Sequence, residues 1–133
     1  MIFEKFLKGE IYPVSFGENL DVVISKLAYP KVCLISKENE LYAVYSQGVE
    51  YLFDMNKLCL IQFEISRIKQ VYINQNKITK NTTYDEFKDY LKQIQLKYEE
   101  DYRDNQKILL INTGVKVYFD QVSNRLATVM RNW

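Results

Sequence analysis

The 133 residues contain no histidine. That removes the commonest general base, the usual partner of a nucleophilic Ser or Cys, and the commonest metal ligand. Catalysis would have to rest on carboxylates, Lys or Tyr. The acids Glu38, Glu40, Glu50, Asp54, Glu64, Asp120 and those between 85 and 104 are available, but nothing in their spacing selects a facing pair of the kind that cleaves glycosidic bonds. Cys33 and Cys59 lie in apolar runs, 32–35 and 58–61, where a thiol behaves as a small hydrophobe, so two buried free thiols are expected. A zinc site built on them would need at least two oxygen ligands, which matches structural zinc chemistry poorly. Gly9, Gly17, Gly48 and Gly114 are too dispersed to form a phosphate-cradling loop. The residue types point away from an enzyme: no catalytic residue, metal, cofactor or small-molecule substrate is expected.

Two charged stretches are candidates for binding instead. Glu99, Glu100, Asp101 and Asp104, with Arg103 among them, form an acidic run suited to docking on a basic protein surface. If a helix carried them at its C-terminal end, they would oppose its macrodipole at roughly 0.3–1 kcal/mol each, so a solvated helix end or loop stands as the plain alternative. Arg67, Lys69, Lys77 and Lys80, with Tyr72 and several asparagines, have the minimal makings of a nucleic-acid surface over residues 67–80. A lysine-protected edge strand explains the same residues. The net charge of +1 provides no global field, so any such patch is local.

The elements that would position these residues follow from periodicity. Leu20, Val23, Ile24 and Leu27 recur at helical spacing behind Asn19, a suitable N-cap, and Pro30 ends the segment. Thr83 to Glu86 has the form of a capping box, with Tyr84, Phe87, Leu91 and Ile94 on one face and Tyr98 and Tyr102 as a possible extension. Between and after these helices the period changes to two. Residues 41–45, 49–53 and 58–65 read as a meander, a strand over 69–74 follows, and 32–36 is a candidate strand ahead of the set.

The stretch 46–54 matches 112–120 at Gly48/Gly114, Val49/Val115, Phe53/Phe119 and Asp54/Asp120, and the match resumes at 56–61 against 124–129. The helices align as well. The expected fold is therefore α+β, a single domain over 1–133 built of two tandem α-β-β-β units, about 15–74 and 79–133, with antiparallel sheet or sheets packed against helices. Two hairpins that share turn chemistry are the alternative. Val49, Tyr51, Phe53, Cys59, Ile61, Phe63, Ile65, Val115, Val117, Phe119, Ala127 and Val129 should face the helices. Glu50, Leu52, Gln62, Glu64, Lys116, Tyr118, Thr128 and Met130 should face away, free for a partner unless two sheets pack on each other.

Over residues 17–65 the order Gly17, short helix, Leu27-Ala28-Tyr29-Pro30, a Tyr before a turn, Phe53, Leu58 and Ile61 resembles immunity proteins of bacterial contact-dependent inhibition and polymorphic-toxin systems. Those usually have Leu-Gly-x-Pro at the site of Leu27 to Pro30. The tandem pattern is also similar to β-lactamase inhibitor proteins and their outer-membrane lipoprotein relatives, which carry export signals not seen at residues 1–6 here. The resemblance implies a cytoplasmic, cofactor-free inhibitor of a cognate protein toxin, a nuclease among the possibilities. Inhibitors of nucleases are often acidic, which a net charge of +1 does not match. It carries over no site residues, because such interfaces differ from pair to pair. The candidate partner-binding residues are therefore Glu50, Leu52, Glu64, Glu99, Glu100, Asp101, Asp104, Lys116 and Tyr118. A small nucleic-acid-binding or regulatory protein is the alternative.

Overall fold

Side-chain caps set where the helices begin. In the computed structural model, which describes residues 1–68 and 71–133, the Asn19 side chain accepts the Val22 amide at 3.0 Å and opens α2 (Leu20–Lys26). Ahead of it lies a one-turn helix, α1 (Phe3–Leu7), too short to leave a periodic signal. Thr83 and Glu86 accept each other's backbone amides in a complete capping box and open α3 (Tyr84–Gln93). Tyr84, Phe87 and Leu91 are its buried stripe, as the spacing predicts. The helix stops short of the expected extension: Gln95 takes a φ of +60° and the chain turns into a strand.

The strands are β1 (Lys31–Ser36), β2 (Leu41–Ser46), β3 (Val49–Asp54) and β4 (Lys57–Phe63) in the first half. The second half supplies β7 (Tyr98–Arg103), β8 (Gln106–Ile111), β9 (Val115–Asp120) and β10 (Leu126–Asn132). These eight form one antiparallel sheet in the order β1-β2-β3-β4-β10-β9-β8-β7, so each half contributes four strands rather than three and the sheet is continuous. A separate small hairpin, β5 (Tyr72–Ile73) with β6 (Asn76–Lys77), contacts α1. The strand expected over 69–74 is reduced to β5, and residues 69 and 70 lie outside the described residues.

The alternation reads correctly in β3 and β9, whose burial patterns are the same, and slips in β4 and β10. Phe53 pairs with Leu58 while Leu52 pairs with Leu60, so Cys59 is an extra, bulged residue. Ala127 is the equivalent extra residue between Leu126 and Thr128. Each bulge moves the residue before it onto the helical face, so Leu58 and Leu126 are buried where Cys59 and Ala127 were expected. The thiols are free but not both buried: Cys59 is half-buried and Cys33 is exposed.

The core is held by a chain of rings. Phe6 and Phe3 of α1 lie 4.8 and 5.1 Å from Phe63 at the middle of the sheet, and Phe3 reaches Phe87 at 6.5 Å. Phe87 and Tyr84 then pack edge-on against Phe119 at 5.6 and 5.3 Å. At the β2–β3 turn, Gly48 has a φ of +80°, and a Cβ there would stand 2.2 Å from Ile68 Cγ1.

Phe63 touches both rings of α1, so Phe63→Ala should cost about 3–5 kcal/mol, against about 1 kcal/mol for loss of the α3 cap in Thr83→Ala. Urea denaturation of the two variants measures the difference; equal costs would show that the α1 contact is not part of the core.

Candidate functional site

Strand pairing places the core on one face and leaves a second face whose central side chains are half-buried beside one another, with exposed ones toward the edge strands. An unbroken row of directly opposed residues crosses the second face through all eight strands: Lys31, Tyr45, Glu50, Gln62, Met130, Lys116, Leu110 and Glu99. Two partial rows flank it. One runs Cys33, Ala43, Leu52, Leu60 and Asn132, and the other Thr128, Tyr118, Ile108 and Asp101. Ala43 and Ile108 are buried by their neighbours on this face and are not part of the helix-side cluster.

Of the expected site residues, Glu50, Leu52, Lys116, Tyr118, Glu99 and Asp101 share this face, and Glu64 adjoins it just past β4. A shallow groove of about 240 Å³ runs between Asp101, Arg103, Asp104, Ile108, Lys116 and Tyr118. Tyr45, Leu60, Ile108 and Leu110 also belong to the face. Tyr45 and Leu60 stood within expected strands without being assigned to it. Ile108 and Leu110 lie on β8, whose apolar run 108–111 was the overlooked signal.

Glu50 carries the main electrostatic irregularity. Partial loss of solvent pushes its carboxyl above the ordinary range, and a hydrogen-bonded Glu64 beside it pushes the same way, with Arg67 opposing. Arg67 Nε is 2.9 Å from Glu64, so one cation of the basic segment is already paired within the protein. Lys77 lies on β6 and Lys80 in the following turn, while Lys69 is outside the described residues. The basic stretch is therefore divided between an ion pair and a hairpin on the helical side.

The acidic run is not at a helix end but on the edge strand β7, followed by a turn at Asp104. Its sequence lacks apolar alternation, which let the helical stripe appear to continue. The pleat divides the run: Glu99 and Asp101 point to the second face, Glu100 to the helical one. There Glu100 accepts the Tyr84 hydroxyl at 2.5 Å and the Lys88 ammonium at 2.7 Å, bonds that hold its carboxyl below the usual range, Lys88 first. Lys88 and Lys107 lie 4.9 and 5.0 Å over the Tyr84 ring. Burial and the Glu100 bond raise the Tyr84 hydroxyl in turn.

Among the described residues, no group of three or more Cys, Asp or Glu side chains is placed to hold a metal ion. Among them, too, no helix is long and apolar enough to cross a membrane. No family model matches the chain, and comparison with curated proteins and with solved structures yields no match either.

Two titrations follow. Because folding raises the Glu50 value, its stabilising contribution is present in acid and is lost as pH rises through that raised value. Glu50→Gln should therefore be more stable than the parent chain at about pH 7 and lose that advantage near pH 4, checked by thermal melts across the range. Glu100 has the opposite sign, its value being depressed. Tyr84→Phe should cost about 1 kcal/mol near neutrality, after discounting for exposure of the carboxylate, and less as pH falls through the carboxylate range. A pH-independent difference would show that the Tyr84 bond is not made to an ionised Glu100.

Proposed function

We propose that this chain works by binding rather than catalysis, gripping a cognate protein toxin domain with the uncovered face of its sheet and so neutralising it. The observation that carries the reading is the division of the sheet. Helices and core occupy one face, while the other presents Tyr45, Leu52, Leu60, Leu110, Tyr118 and Met130 among charges of both signs. Antiparallel sheets tolerate a single covered face in this way, and aromatic and Met side chains are enriched where proteins meet. Half-buried side chains in register on strands lose little freedom on docking, which favours tight association.

The choice of a toxin as partner rests on the resemblance of residues 17–65 to immunity proteins, and with it the cytoplasm as the site of action. Alternation of Lys31, Glu50, Lys116 and Glu99 along the central row favours a partner surface of mixed charge over a uniformly basic one. We further infer that the two halves are tandem copies of one helix-and-four-strand unit. The matching strand orders about the β4–β10 pair, the equal burial patterns of β2 with β8 and of β3 with β9, and the two equivalent bulges support that reading.

Co-expression with the product of the gene immediately upstream should yield a stable heterodimer with an interface of roughly 1,200–2,000 Å² and protect growth. Leu52→Arg with Tyr118→Arg should weaken that complex by about 30-fold or more, read by calorimetry, with thermal melts unchanged. Absence of both complex and protection would remove the toxin reading. A complex indifferent to the two arginines would move the site off this face.

A further inference from the structure

The two edges of the sheet are unlike. Edge strand β7 carries Glu99, Glu100 and Asp101, the kind of charge that discourages edge-to-edge pairing. Edge strand β1 has no acid, and past Lys31 at its start it is apolar on both sides. Val32 is 45%, Leu34 53% and Ile35 56% exposed, and the Cys33 thiol is exposed on the other side. Its outer backbone groups face no strand of the sheet. Such an edge is a template for another strand, which can pair the whole row of N–H and C=O groups while covering the apolar side chains.

We propose that the occupant is β1 of a second copy, paired antiparallel about a twofold axis through Cys33. Charge decides between the edges this chain offers. Against β7 of another copy, any in-phase register overlapping both Val32 and Leu34 sets one of them opposite Glu100, a carboxylate already bound by Tyr84 and Lys88. Against another β1, Val32 meets Leu34 on the helical side, and Lys31 meets only Ile35, the bulged residue at which the ladder ends. The neighbouring in-phase registers fail: one is centred on Leu34 and would have to carry the ladder through the bulge at Ile35, and the other sets Pro30, which has no N–H, opposite Leu34. Cys33 is left on the axis. A twofold axis perpendicular to the sheet closes the assembly at two copies and keeps both helical faces on one side. The bulge at Ile35 ends the ladder, so the interface is small and the dimer depends on concentration.

Sedimentation velocity over a concentration series tests the proposal on the unmodified chain, and mild oxidation gives a second readout. Opposed residues in an antiparallel pair have Cα atoms about 4.5–5.5 Å apart, within disulfide range. The expected result is a reversible dimer, weakened about 10-fold or more by Leu34→Lys at unchanged thermal stability, and a covalent dimer that Cys33→Ser abolishes. A monomer at every concentration to the solubility limit, a dimer indifferent to Leu34→Lys, or a reversible dimer that oxidation does not join through Cys33 would each overturn it. Tyr118→Arg should leave the dimer intact, which separates this test from that of the toxin-binding face.

Discussion

The pairing of β4 with β10 is the constraint on which the rest of the structure depends. It sets Phe63 beside Val129 and Ile61 beside Arg131, with Gln62 beside Met130 and Leu60 beside Asn132 on the other face, and the Trp133 amide extends it to the Cys59 carbonyl at 2.8 Å. A slip of one residue would send Phe63 to the uncovered face and break the ring chain at its centre. The segment before α2 lies across this seam and fastens it: Phe3 and Phe6 pack on Phe63, the Thr113 hydroxyl donates to the Leu7 carbonyl at 2.7 Å, and Arg131 donates to the Gly9 carbonyl at 2.8 Å. First and last segments are thereby tied together over the junction of the two halves.

From that seam the two faces acquire different roles. The helical face collects the rings and aliphatic side chains that exclude water, and Tyr51 shows how completely, its hydroxyl pushed up to about 12 by burial alone. The second face is built of side chains in contact with their strand neighbours and with solvent. Glu50 illustrates the intermediate condition: it is dry enough to hold its proton more tightly, yet not sealed from water.

Local rules made part of this legible from residues alone. The capping box at Thr83, the Asn19 cap and the alternation of β3 and β9 are each specified by neighbours in the chain, so the helix starts and the face carrying Glu50, Leu52, Lys116 and Tyr118 could be read directly. What escaped reading is set by neighbours in space. The bulges at Cys59 and Ala127 appear only when two strands are laid side by side. Tyr98 to Arg103 has no strand pattern of its own and becomes β7 because the apolar strand β8 provides a ladder for it. α1 owes its existence to Phe63 rather than to helix propensity, since isolated segments of its length are not stable.

The same distinction decides how charge acts on this surface. Read along the chain, the acids from Glu99 to Asp104 form a cluster; folded, the pleat separates Glu100 from Glu99 and Asp101 and spends it on Tyr84 and Lys88. Arg67, nominally part of a basic stretch, neutralises Glu64. Neither run survives as a strong field of one sign. What remains is the central row, where Lys31, Glu50, Lys116 and Glu99 alternate in sign between uncharged neighbours. With a net charge of +1, such a row does little to draw a partner from a distance, where salt screens it, but it penalises any docking that misaligns the charges. Electrostatics on this face therefore favours selection of a register over speed of encounter, and the attraction itself must come from the aliphatic and aromatic side chains lying between the charges.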